Sequence, residues 1–88
     1  MKIRDNFVLQ EILDEYIVVP VGEESDRLHC ILKLNETGAF LWKALTQRQL
    51  TKAELVQLLT NEYDVDEKKA SADVDLFIKR IDHLGCMQ

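Results

Sequence analysis

The sequence predicts an α+β fold in which a three-stranded antiparallel sheet is followed by three α-helices. The first third of the chain is rich in Val, Ile, Phe and Tyr with short polar breaks, a pattern typical of strands. From Asn35 onward, apolar residues recur at intervals of three and four, which indicates amphipathic helices. We expect an 88-residue chain with this continuous pattern to form one domain spanning residues 1–88.

The first two strands are predicted in the segments FVLQEIL (7–13) and EYIVVPV (15–21). The polar pair Asp14-Glu15 between them suits a hairpin turn. The run from Tyr16 to Val19 is apolar without alternation, which favours a middle strand covered on more than one side.

A third strand is predicted in RLHCILKL (27–34), because apolar residues occupy every second position there, from Leu28 to Leu34. A meander in sequence order leaves this strand at an edge of the sheet. The inward residues are expected to be Leu28, Cys30, Leu32 and Leu34, and the outward residues His29, Ile31 and Lys33.

The first two helices have recognisable N-terminal caps. Asn35 suits the N-cap of a helix of about ten residues. Thr51 and Glu54 have the spacing of a capping box at the start of the second helix. The inward residues are expected to be Phe40, Leu41, Ala44, Leu45, Leu55, Leu58 and Leu59, with Trp42 partly buried.

The third helix is predicted to begin near Asp66 and to run to Leu84, with Gly85 as its stop. Its buried face is expected to consist of Ala70, Val74, Phe77, Ile78, Ile81 and Leu84. At 100° per residue Leu76 lies away from that face, beside Lys69, Asp73 and Arg80.

Charge and composition argue against several classes of function. Eleven basic and 16 acidic residues give a net charge of −5, whereas nucleic-acid binding rests on clustered Lys and Arg. No apolar run is long enough to span a membrane and the N-terminus lacks a signal-peptide pattern, so we expect a cytoplasmic protein.

The sequence gives no sign of catalysis or of a cofactor. Cys30 and Cys86 form no CxxC pair, and in the cytoplasm we expect both to be reduced thiols without a bound metal. His29 and Cys30 are neighbours on a strand and point to opposite faces, so they cannot act as base and nucleophile. We therefore expect a protein that is not an enzyme.

Gly38 is unusual in the first turn of a helix, where glycine costs about 1 kcal/mol relative to alanine. We expect it to allow another backbone to come close where the third strand meets the first helix. A simpler explanation of Gly38 is that it only relieves crowding between the helix and the sheet.

Three motifs, in this order, resemble the PqqD-like family of peptide chaperones, also called precursor-peptide recognition elements. They are an Asn-x-x-Gly between strand and helix, a Tyr-x-Val/Asp-x at the entry of a helix, and a Leu-Gly at the end of a long helix. The residues concerned are Asn35 and Gly38, then Tyr63, Val65 and Asp66, then Leu84 and Gly85. The likeness extends from about Phe7 to Gly85.

This resemblance implies a winged-helix-like domain without catalytic activity. Such domains bind the leader segment of a ribosomally synthesised precursor peptide and present it to a modifying enzyme, often a radical S-adenosylmethionine (SAM) enzyme. Family members bind the leader as a strand added to the third strand, with side chains entering the groove beside the third helix. An unpaired strand edge is a suitable template for this β-augmentation.

The predicted peptide-binding residues come from that strand and that helix. Leu76 is expected to form the apolar floor of the groove and Lys69, Asp73 and Arg80 its polar rim, although a single exposed leucine also needs no special explanation. The full set is Arg27, Leu28, His29, Cys30, Ile31, Leu32, Lys33, Lys69, Asp73, Leu76, Phe77 and Arg80.

Two other functions remain open from the sequence, a DNA-binding winged helix and a general protein-docking module. The predicted third helix mixes acids with bases, which does not make a phosphate-binding surface. A free edge strand is compatible with a monomer or with a homodimer formed through that edge.

Overall fold

The computed structural model describes residues 1–3, 7–21 and 32–83. Within these residues the sheet has the order β1-β2-β3 and its neighbouring strands are antiparallel. The elements are β1 (Phe7–Ile12), β2 (Glu15–Pro20), β3 (Leu32–Leu34), α1 (Glu36–Gln47), α2 (Lys52–Glu62) and α3 (Glu67–His83). The predicted order of three strands and three helices is confirmed.

The hairpin turn lies one residue earlier than predicted. Leu13 and Asp14 form the turn, whereas the sequence pattern had assigned Leu13 to the first strand and Glu15 to the turn. Leu13 is 92% exposed, so its apolar side chain contributes nothing to the core. The two-residue turn places Ile12 opposite Glu15 and sets the register of the hairpin.

β2 is the middle strand, as predicted, but one of its faces is only partly covered. Val18 is buried, whereas Ile17 and Val19 on the opposite face are half-buried. In β3 the predicted alternation holds for the described residues, because Leu32 and Leu34 are buried and Lys33 is exposed. The remainder of the predicted third strand, residues 27–31, lies outside the described residues.

The predicted helix starts are confirmed by their hydrogen bonds. In the capping box of α2, the Thr51 amide donates to Glu54 Oε1 at 3.0 Å and the Glu54 amide donates to Thr51 Oγ1 at 3.2 Å. Asp66 caps α3, where its Oδ1 accepts from the Lys69 amide at 2.7 Å. The predicted end of α3 at Leu84 and Gly85 lies beyond the described residues.

The core fills the space between the inner face of the sheet and the three helices. Trp42 is only 1% exposed, so the prediction of partial burial was wrong. The sheet covers it, since the Phe7 ring meets the Trp42 ring edge to face at 6.5 Å between centroids. The helical residues predicted to be inward that are buried are Leu41, Leu45, Leu55, Leu59, Ala70, Val74, Phe77 and Ile81, while Phe40, Ala44, Leu58 and Ile78 are half-buried.

In the described part of the chain, no helix combines the length and the apolar character that crossing a membrane requires.

Candidate functional site

A groove of about 200 Å³ lies between the end of β3, the first turns of α1, and α3. Three buried apolar side chains, Leu34, Leu41 and Phe77, form its floor. The remaining lining residues are Asn35, Thr37, Gly38, Asp73, Leu76 and Arg80. The groove therefore has an apolar floor and a largely polar border.

The α3 wall of the groove follows from helical spacing. Asp73, Leu76, Phe77 and Arg80 are separated by three, four and seven positions, which places them along one face of the helix. Leu76 is 62% exposed, whereas Phe77 is 5% exposed. Leu76, expected at the floor, is thus the exposed member of the pair and lies towards the rim, and its contact with a peptide stays a prediction.

Lys69, also predicted on the rim, does not line the groove. Its Nζ lies 3.8 Å from Oδ2 of Asp73, one turn further along α3. Exposed pairs of this kind contribute little to stability, about 0.3–0.5 kcal/mol on a helix. Lys69 therefore lies outside the groove, beside Asp73, which lines it.

The α1 wall depends on the N-cap and on Gly38. Asn35 Oδ1 accepts from the Gly38 amide at 2.8 Å and from Thr37 Oγ1 at 3.1 Å. A Cβ atom placed on Gly38 would lie 3.0 Å from that same Oδ1 and 3.3 Å from Cδ2 of Leu34. A side chain at position 38 would therefore crowd two neighbouring side chains, which would have to shift by a few tenths of an ångström, whereas the sequence predicts the close approach of another backbone.

The hairpin turn determines where the backbone groups of β2 point. Leu13 and Asp14 both have positive φ, 49° and 68°, the signs of a type I′ turn. In such a hairpin the flanking residues Ile12 and Glu15 form a hydrogen-bonded pair, and bonded and non-bonded pairs alternate from there. The odd-numbered residues of β2 therefore bond to β1 and the even-numbered residues to β3.

This alternation leaves the backbone of Lys33 facing away from β2. Lys33 lies opposite Ile17, an odd-numbered residue that bonds to β1, so the two exchange no backbone hydrogen bonds. Its neighbours Leu32 and Leu34 bond to β2 instead. The amide and carbonyl of Lys33 consequently point to the side of β3 with which no described strand pairs.

Arg80 contacts this outward-facing carbonyl. Its Nη2 donates to the carbonyl oxygen of Lys33 at 2.9 Å, joining α3 to the edge of the sheet. The Lys33 side chain lies on the outer face of the sheet, where its Nζ is 2.8 Å from Oε1 of Glu15. The backbone and the side chain of Lys33 thus take part in separate contacts.

The structure brings together one part of the predicted site. Asp73, Leu76, Phe77 and Arg80 line one groove beside β3, and Lys33 presents its backbone there. Leu32 is a core residue, 5% exposed, whose backbone pairs with β2. The other predicted strand residues, Arg27, Leu28, His29, Cys30 and Ile31, lie outside the described residues.

Sequence reasoning missed the contribution of α1 to the groove. Asn35, Thr37, Gly38 and Leu41 line it together with Leu34 at the end of β3. The Asn-x-x-Gly motif is the available signal, because its asparagine and its glycine both line the groove.

The family model described as "Coenzyme PQQ synthesis protein D (PqqD)" matches residues 15–86. A search of curated proteins found no significant match.

Two solved structures share the fold of this chain. One is TbiB1 in complex with the TbiA(beta) leader peptide, with a TM-score of 0.75 and 23% sequence identity, covering 100% of this chain and 95% of that one. The other is lasso peptide synthetase B1 complexed with the leader peptide, with a TM-score of 0.69 and 20% identity, covering 93% and 89% of the two chains.

Proposed function

This chain belongs to the PqqD family, and from that premise we propose that it is a non-catalytic chaperone for the leader segment of a ribosomally synthesised precursor peptide. The leader adds as a strand to the open side of β3 and places alternate side chains in the groove beside α3. The protein then presents the bound precursor to a modifying enzyme, for which a radical SAM enzyme is one candidate.

The observation that carries this proposal is the outward-facing backbone of Lys33 next to an apolar groove. A peptide in extended conformation can exchange hydrogen bonds with that amide and carbonyl. Main-chain bonding of this kind accepts many sequences, so it needs neighbouring pockets for specificity. The groove supplies such a pocket on the same side of β3.

The size and lining of the groove suit one or two apolar side chains. Its volume of about 200 Å³ is below that of most small-molecule sites, which occupy roughly 300–1,000 Å³. The rim carries one acid, Asp73, and one base, Arg80. We expect Arg80 to pair with an acidic leader residue and Asp73 with a basic one, which would fix the register of the added strand.

The lining residues favour binding rather than chemistry. None of the nine is a Cys, His or Ser, so no thiol, imidazole or serine hydroxyl lies in the part of the groove that the structure describes. The two solved structures described above are complexes with leader peptides. These features support a non-catalytic role. A location in the cytoplasm and a monomer or edge-strand dimer are further parts of the proposal.

An NMR titration tests the proposal. The ¹⁵N-labelled protein is titrated with a synthetic leader peptide from a precursor encoded beside it, and with a scrambled peptide of the same composition. We expect saturable shifts at the amides of Lys33, Gly38 and Leu76 with the native leader only. Shifts centred on α2, or an equal response to the scrambled peptide, would contradict the proposed site.

A further inference from the structure

Arg80 contacts the strand edge to which the proposed leader strand would add. An added strand runs about 4.8 Å from its neighbour, and its amide nitrogens lie about 2.9 Å from the acceptor oxygens. Arg80 Nη2 lies 2.9 Å from the carbonyl oxygen of Lys33. Since that carbonyl points to the open side of β3, the guanidinium already uses the acceptor to which a leader amide would donate.

We propose that Arg80 is a latch on the edge of β3, which occupies the Lys33 carbonyl in the free domain and is displaced when a peptide strand adds. This inference rests on the proposed function, because it assumes that the strand adds at this edge. The latch makes every incoming peptide compete with a charged donor that is already in place. It thereby lowers the affinity of the edge for extended peptides in general.

The latch also has a protective effect in the free protein. Exposed strand edges pair readily with other chains, and a charged residue at the edge is one common means of preventing this. Arg80 does so through a reversible contact, because it is exposed and its partner is a backbone carbonyl rather than a buried carboxylate. A released guanidinium remains beside the groove and can pair with a leader carboxylate.

The size of the effect follows from the type of bond. A hydrogen bond exposed to water contributes a net stabilisation equivalent to roughly a 2- to 10-fold change in an equilibrium constant. Removing the latch should therefore strengthen peptide binding by roughly this factor, provided that the peptide has no carboxylate to bind Arg80 in the complex.

The test compares Arg80→Met with Lys79→Met. Methionine keeps an apolar stem and removes the donor, and Lys79 is an exposed neighbour on α3 that does not line the groove. Both variants lose one positive charge, so they share any long-range electrostatic effect. The probe is the native leader peptide with each Asp and Glu replaced by Asn and Gln, measured by calorimetry and by stopped-flow association.

We expect Arg80→Met to bind this probe roughly 2- to 10-fold more tightly than the wild type, with a faster association rate constant, and Lys79→Met to bind as the wild type does. Equal or weaker binding by Arg80→Met, while the wild type binds, overturns the latch and leaves the proposed function standing. If the wild-type protein binds neither the probe nor the native leader, both the latch and the proposed function are overturned.

Discussion

Leu76 and Phe77 are adjacent on α3 and line the same groove, yet Leu76 is 62% exposed and Phe77 is 5% exposed. The helix turns by 100° between them, so one side chain lies at the rim and the other in the core. We therefore expect Leu76 to contact the leader peptide and Phe77 to support the fold.

Truncation of these two side chains should have different effects. Leu76→Ala should weaken leader binding by about 1–3 kcal/mol with little change in Tm, because it removes apolar contact with the peptide but none from the core. Phe77→Ala should lower the free energy of unfolding by about 3–5 kcal/mol, because it leaves a cavity. Calorimetric titration and thermal melting measure the two effects.

A matched control for Leu76→Ala is Ile12→Ala. Ile12 is 49% exposed and lies on the outer face of β1, away from the groove. The Ile12→Ala substitution should therefore leave leader binding unchanged. If Leu76→Ala binds the leader normally, or lowers Tm as much as Phe77→Ala does, α3 does not present Leu76 to the ligand.

Substitution of Gly38 should test the junction between β3 and α1. Gly38→Leu should reduce the free energy of unfolding by about 1–3 kcal/mol despite the gain in helix propensity, because its Cβ would meet Asn35 Oδ1 and the Leu34 side chain. The longer side chain should also enter the groove and weaken leader binding. Equal or greater stability in chemical denaturation would refute the crowding explanation.

A double-mutant cycle isolates the contact with the N-cap. Asn35→Ala alone should cost about 1 kcal/mol by removing the cap. In that background Gly38→Ala should be less harmful than in the wild type, because the closest contact of the new Cβ has been removed. Simple additivity of the two substitutions would mean that Asn35 Oδ1 does not exclude a side chain at position 38.

Substitution of the two hairpin-turn residues should increase the stability of the protein. Leu13 and Asp14 both adopt the left-handed region, which L-residues other than Asn and Asp rarely occupy. Replacing the pair by Asn-Gly, the preferred type I′ sequence, should raise the free energy of unfolding by about 1 kcal/mol. Leu13→Ala is the control, since it removes the exposed side chain but keeps the backbone cost. A gain no larger than that of the control would contradict the proposed turn geometry.

Salt dependence distinguishes leader binding from nucleic-acid binding. Three of the described basic residues are paired with acids, since Lys33 lies near Glu15, Lys52 near Asp75 and Lys69 near Asp73. We expect no duplex DNA binding at physiological salt and only a small change in leader affinity between 50 and 200 mM salt. Fluorescence anisotropy would refute this by showing sub-micromolar DNA binding that falls by about 10³-fold over the same range.

The helices and their starts were predictable because they depend on local chemistry. Thr51 and Glu54 are three residues apart, and the exposure of Leu76 follows from counting 100° per residue. The turn was misplaced by one residue because leucine is uncommon at positive φ and gives no turn signal.

The parts that could not be predicted depend on contacts between distant residues. Trp42 is buried because Phe7 from β1 packs against it, which helical spacing on α1 does not show. The bond from Arg80 to the Lys33 carbonyl joins residues 47 positions apart. The groove itself exists only where β3, α1 and α3 meet, so its complete lining could not be read from any single element.

Strand addition to β3 is the central claim, and backbone N-methylation of the leader peptide tests it most directly. A series of synthetic leaders, each carrying one N-methyl group, is measured by calorimetry against the wild-type protein. In an added strand only alternate amides bond to β3, so we expect losses of about 1–3 kcal/mol at every second position across the bound segment and little change between them. Uniform tolerance, or sensitivity that recurs every three or four residues as for a bound helix, would contradict the claim.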